Sequence, residues 1–289
     1  MQTLTLLFAS ADPAAHVRDE TWLPMVPETA ALQFVTKYQI LLAVAALVVL
    51  ALFVPLARRI ATGEPVRGPL WNFLESLLLF IRDDVVRPNI QSGHADGHGH
   101  HDHPTHDPHA LADRYLPLIW TLFLFILTCN LLGMIPFLGS PTASISVTAA
   151  LALIVFVTIQ VSALLRFGAL GFVKSFIPQL KTDNPILTVG LMLTVVPLVA
   201  VIEFAGIFIR GGVLAIRLFA NMYGGHVALA AIFALSVAAN GSLSVGGGIG
   251  AVALGTALSL LELLVAFLQA FVFVLLTSIF LGLQLNPEH

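Results

Sequence analysis

From Pro185 to Ala239 the chain is almost continuously apolar, and this run limits the possible folds more than any other feature. A helix crosses a bilayer core with roughly 20 apolar residues, so the stretch is long enough for about two crossings. The rest of the chain shares the bias. Of 289 residues, 58% are hydrophobic and only 10% charged, with a mean hydropathy of +0.94. Soluble domains carry about 25% charged residues, so this sequence lacks the polar surface a globule in water requires. The expected class is an all-α polytopic membrane protein. The net charge of -3 says little about partners, and no nucleic acid is expected. The single cysteine, Cys129, lies in an apolar run. It excludes an intrachain disulfide or a cysteine-based metal site and reads as a small hydrophobe.

Five runs have the length and composition of a crossing. A polar tail, residues 1–37, precedes the first, Tyr38 to Leu56. Within the tail Ala9-Ser10-Ala11 resembles a leader cleavage site, but the apolar stretch before it is short and has no basic residue, so no leader is expected. The segment Pro69 to Val86 mixes apolar residues with Glu75, Arg82, Asp83 and Asp84, which fits an amphipathic helix lying on the membrane surface. With the first crossing it makes up residues 38–91. A His-rich loop, 92–113, separates it from the second crossing, Tyr115 to Phe137. A turn containing Gly139 and Pro141 follows, then the third crossing, Ile145 to Leu165. Residues 114–184 thus form a hairpin and a polar loop. Residues 185–289 hold the long apolar run, a glycine-rich turn from Asn240 to Gly248, and a last crossing, Ile249 to Leu283.

Basic residues set the expected orientation. Arg58, Arg59, Arg67, Arg82, Arg87, Arg114, Arg166, Lys174 and Lys181 all fall in segments on one side of this map, while loops 138–144 and 240–248 have none. The long polar loops and the C-terminus are therefore expected in the cytoplasm, and the N-terminus outside.

Within the last hundred residues only Glu203, Arg210, Arg217 and Glu262 are charged between Asn184 and Pro287, and His226 joins them. Ionisable groups in hydrocarbon are costly and persist mainly where they pair or line a water path. Glu203, Arg210 and Arg217 are spaced by seven, which leaves a rotation of only about 20° on a helix. On one continuous helix they form a polar stripe, with Asn221 close to it. If the chain instead turns at Gly211-Gly212, the two arginines snorkel to the surface. Periodicity alone leaves both possibilities open.

Folding the last two helices as an antiparallel hairpin puts residues whose numbers sum to about 487 at one depth. His226 is then level with Glu262, and Arg217 with Gln269. Two small-residue ridges, Ala220, Gly224 and Ala228, and Gly247, Ala251 and Gly255, are expected to let the helices approach closely. A histidine beside a carboxylate suits a proton relay. Arginine stays protonated, so Arg217 suits a fixed charge that blocks a continuous wire and attracts a carboxylate from a partner.

Ala215-Ile216-Arg217-Leu218-Phe219-Ala220-Asn221-Met222-Tyr223-Gly224-Gly225 and Leu268-Gln269-Ala270-Phe271-Val272-Phe273-Val274-Leu275-Leu276-Thr277 resemble subunit a of the F-type ATP synthase. Pro141-Thr142-Ala143 and Val147-Thr148 support the likeness upstream. The resemblance implies that Arg217 is the family's essential arginine, facing a rotating ring of c subunits. It implies that Glu203, Asn221, His226, Glu262 and Gln269 line the proton path, with no cofactor and no metal. It further implies peripheral-stalk b subunits, the rest of the synthase and membrane lipid as partners, and a cell inner membrane location. It favours one long tilted helix over two. The family's ATP chemistry lies elsewhere, and this chain has no Gly-rich Lys-Ser/Thr loop. Ser144 and Ser146 replace an Asp and an Asn usual in the family, and Arg210-Gly211 replaces a basic-Pro pair. The latter leaves Arg210 with a structural role, a pairing with Glu203 being one form of it.

Seven of the ten histidines lie between Gly93 and His109 (His94, His98, His100, His101, His103, His106 and His109), interspersed with Asp96, Asp102 and Asp107. Their spacing matches no structural zinc pattern and reads as a solvated low-complexity loop. The alternative function it suggests is a divalent-metal transporter, which requires clustered ligands within neighbouring crossings. A purely structural anchor does not explain charges at matched depths.

Overall fold

The computed structural model describes residues 36–62, 68–90, 110–135, 139–175, 185–239 and 245–285. Side chains at 60–62, 169–170, 172–175, 185–194, 200, 203, 207, 233–239, 245–249 and 251 lie outside that description. Regular structure among the described residues is helical: α1 (Lys37–Thr62), α2 (Pro69–Phe80), α3 (Ala110–Gly133), α4 (Ile145–Ser175), α5 (Pro185–Ala239) and α6 (Val245–Leu285). Five of them, all but α2, are long and apolar enough to cross a membrane. The expected all-α polytopic class holds.

The helix boundaries differ from the sequence reading in instructive ways. Helix α3 starts at Ala110, so residues 110–113, expected in the polar loop, form its first turn. In that first turn the Arg87 guanidinium donates to both carboxylate oxygens of Asp113, each at 3.1 Å. A bidentate pair of this kind fixes two groups in one geometry. The Arg82 guanidinium beside Asp83 holds that carboxyl below its ordinary range, and Asp113 beside Arg87 raises the guanidinium further above its own. The His-rich segment up to His109 lies outside the described residues. Helix α4 runs ten residues beyond the expected Leu165 but breaks at Gly168, whose φ of 71° suits a residue without a Cβ.

Helix α5 answers the question periodicity left open. It is one helix of 55 residues, continuous through Gly211 and Gly212. The isolated hydroxyls on these spans are satisfied within their own helices. Thr158, Thr256, Ser259 and Ser278 each donate to the carbonyl four residues earlier. This is the arrangement open to a polar group with no water at hand.

The chain divides into two compact units. The first holds residues up to Trp71, Thr121–Thr148 and Ile216–Phe273. Its buried apolar residues include Phe123, Cys129, Leu218, Met222, Ala266 and Ala270. Phe123 meets Phe267 edge-on at 5.8 Å, a favoured aromatic geometry. Arg59 lies over the Trp71 ring at 5.1 Å.

The second unit holds Asn72–Trp120, Ala149–Ala215 and Val274–His289. In it α2 continues through a π turn, Ile81–Val86, into a last turn, Arg87–Asn89. Leu74, Leu77, Ile81 and Val85 are buried along one face, while Phe73, Asp83 and Asp84 are exposed. Leu70, Leu79 and Phe80 are exposed as well, beside Asn72 and Ser76, so the outer side of α2 is mixed rather than polar. The end of this element packs on α6 so closely that a Cβ on Gly282 would fall on the Asn89 carbonyl oxygen. Gly282→Val is therefore expected to cost about 1–3 kcal/mol through overpacking. The yield of assembled complex should drop, as read by copurification. Gly212→Ala, where a Cβ meets nothing within 4 Å, is the matched control.

Candidate functional site

The residues singled out along α5 and α6 gather in the first unit, Glu203 and Arg210 excepted. Three contacts fix the register of the two helices. Asn221 Nδ2 donates to Gln269 Oε1 at 2.6 Å. Met222 and Ala266 share a buried cluster with Ala143. Gly225 lies against the Glu262 carboxyl, which a Cβ on residue 225 would strike. Numbers rise on one helix as they fall on the other, so the pair is antiparallel. Gln269 thus meets Asn221, one turn beyond Arg217, rather than Arg217 itself.

Glu262 is only 5% exposed, and among the described residues its Oε2 has no hydrogen-bond partner. His226 is partly buried next to Gly225. No ion pair or hydrogen bond joins His226 to Glu262 among the described residues. The carboxyl sits instead against the backbone one residue before the histidine. The expected level is right, and direct pairing is absent.

The small-residue ridge is corrected. Ala220, Gly224 and Ala228 are exposed, and a Cβ on Gly224 would meet nothing within 4 Å. They do not form the α5–α6 contact, which Gly225 provides. By helix period they share their face with Arg217, which is exposed too. Ala215, Leu218 and Met222 cover the opposite, buried face. Among the described residues, nothing pairs with the Arg217 guanidinium. The Glu203 side chain lies outside the described residues, so its pairing with Arg210 does too. Arg210 lies over the Phe280 ring at 5.7 Å, in the second unit.

One feature of the first unit was not read from the sequence. Thr142 Oγ1 donates to Asn130 Oδ1 at 2.8 Å, and Asn130 Nδ2 donates to the Ala266 carbonyl at 3.1 Å. Ser140 Oγ lies 2.7 Å from Thr142 Oγ1 and must donate, since the single Thr142 hydrogen is already used. All three side chains are buried. The chain of donors runs one way and ends on a backbone carbonyl, which cannot pass a proton on. It ties α3 and the turn before α4 to α6, between Glu262 and Gln269. A lone Asn130 within the apolar run of α3 was the available signal.

Five spanning helices, a buried carboxyl without a full set of partners, an interhelical amide pair and an outward-facing arginine define a multi-pass membrane protein with ionisable groups inside its spans. Residues 103–282 match the family model described as ATP synthase A chain. A protein of Myxococcus xanthus named ATP synthase subunit a is 34% identical over 259 residues, 88% of this chain and 74% of the relative. Proteins of the same name from Rhodopseudomonas palustris and Chlorobium phaeobacteroides are 42% and 33% identical, over 61% and 88% of this chain and 67% and 66% of theirs. The chain belongs to the ATP synthase A chain family. It is a multi-pass membrane protein of proton transport and ATP synthesis.

Proposed function

We propose that this chain is the stationary wall of a proton path, working against a ring of c subunits and held by peripheral-stalk b subunits in the cell inner membrane. Protons enter from the outer side near His226 and Glu262 and load a carboxyl group on the ring. After rotation they leave past Glu203 to the cytoplasm, where the C-terminus lies. Asn221 and Gln269 line the path, and Arg217 separates its two halves as a fixed charge. ATP chemistry belongs to other subunits, so the chain is not an enzyme by itself.

The observation that carries this reading is the outward face of α5. Arg217 is exposed there with no partner among the described residues, beside Ala220, Gly224 and Ala228. An intramembrane cation needs a counter-charge or water, and small residues let another helix come close. A partner helix presenting a carboxyl meets both needs. Nothing among the described residues favours the divalent-metal transporter.

The relay assignment is tested by exchange. His226→Glu with Glu262→His together should retain several-fold more proton-driven ATP synthesis than either single change. Synthesis in the double variant no better than in the singles would show that the two do not act together.

A further inference from the structure

The second unit contains a partly open pocket of about 30 Å³ between α4, α5 and α6, with Gln160, the exposed Arg210, Phe280 and Gln284 in its wall. The amide oxygen of Gln160 is buried and has no hydrogen-bond partner among the described residues. A buried amide oxygen left unpaired is costly, above all in a membrane. Arg210 brings five N–H donors that cannot be deprotonated. Its guanidinium lies over the Phe280 ring face at 5.7 Å, and among the described residues it donates no hydrogen bond. A cavity of this size has room for about two water molecules, and its wall supplies the donors and acceptors they need.

We propose that this partly open pocket is a hydration site, in which water bridges the buried Gln160 amide oxygen and the Arg210 guanidinium. Water donates to Gln160 Oε1 and accepts from the Arg210 N–H groups, with the Gln284 amide as a third polar wall. Arg210, itself exposed on its outer side, is then hydrated where it borders the pocket. Gln160 acts as a positioning residue for it through that water. The site is separate from the proposed relay at His226 and Glu262, and stands whether or not that relay operates.

Thiol chemistry tests this in the whole complex. Cys129 is the only cysteine in the chain, so Cys129→Ala clears this chain's own background, and labelling is read on the chain after it is separated by gel. In that background Ile159→Cys and Ala152→Cys place a thiol in the cavity wall, and Leu153→Cys places one on the exposed apolar side of the same helix. Membranes are treated with silver ion, then denatured, and the remaining thiol is counted with a maleimide. The wall thiols should react at least about tenfold faster than Leu153→Cys, although Ile159 is 8% exposed and Leu153 60%. Adding Gln160→Leu should slow the wall thiols to the Leu153→Cys rate, and Gln160→Glu should restore it. Two wall positions guard against one variant that assembles poorly. If both react as slowly as Leu153→Cys, the cavity is dry and the proposal fails. It fails equally if Gln160→Leu leaves their rate unchanged.

Discussion

In membrane vesicles carrying Arg217→Ala, ATP-driven proton pumping falls to background, at least about a hundredfold, while the complex still assembles. A charge at the centre of a membrane-spanning helix costs about 2.5–3.5 kcal/mol on insertion scales. Arg217 recovers none of this from a described group of its own chain, since it is exposed and unpaired among those residues. The packing stripe through Ala215, Leu218 and Met222 lies on the other side of α5. Removing the guanidinium should leave the helix pair intact. A hundredfold loss corresponds to about 2.7 kcal/mol, the scale of one intramembrane charge interaction. Copurification with the other subunits checks assembly, and dye quenching in vesicles reads pumping.

Gly225→Val should have the next largest effect, at least a tenfold loss of ATP synthesis. Its Cβ would strike the Glu262 carboxyl. Either the carboxyl turns away from its position beside α5, or the helices separate and the Asn221–Gln269 bond, one turn away, lengthens. Overpacking of this kind costs about 1–3 kcal/mol. Gly224→Ala is the discriminating neighbour, because a Cβ there meets no other group of this chain. It should leave Glu262 undisturbed and affect only the fit of a partner on the outer face. Near-normal synthesis by Gly225→Val would mean that the position of Glu262 does not matter.

The spans were legible because they rest on length and hydropathy, which the bilayer imposes on every crossing. Their ends were less so. The contact of Arg87 with Asp113 in the first turn of α3 joins residues 26 apart, and such a partner leaves no local mark. Continuity of α5 through Gly211 and Gly212 was undecidable from periodicity, because a helix and a tight turn both accept glycine pairs. The hairpin register came out within one turn, since helix rise is constant along both arms. The small-residue ridge was assigned to the wrong neighbour for a related reason. Spacing by four identifies a face of a helix but not what covers it, so Gly224 was read for Gly225. The Ser140–Thr142–Asn130 tether was missed because it joins residues that only the fold brings together, on α3 and the turn before α4.

Whether Arg217 blocks protons or carries them is decided by passive conduction through the membrane sector without its catalytic part. An imposed potential drives protons across vesicles containing wild-type or Arg217→Ala chains, and internal pH is followed over time. A fixed charge that separates two half-channels predicts conduction in Arg217→Ala at least as fast as wild type, although pumping is lost. If conduction stops along with pumping, Arg217 is part of the wire itself and the barrier role is wrong.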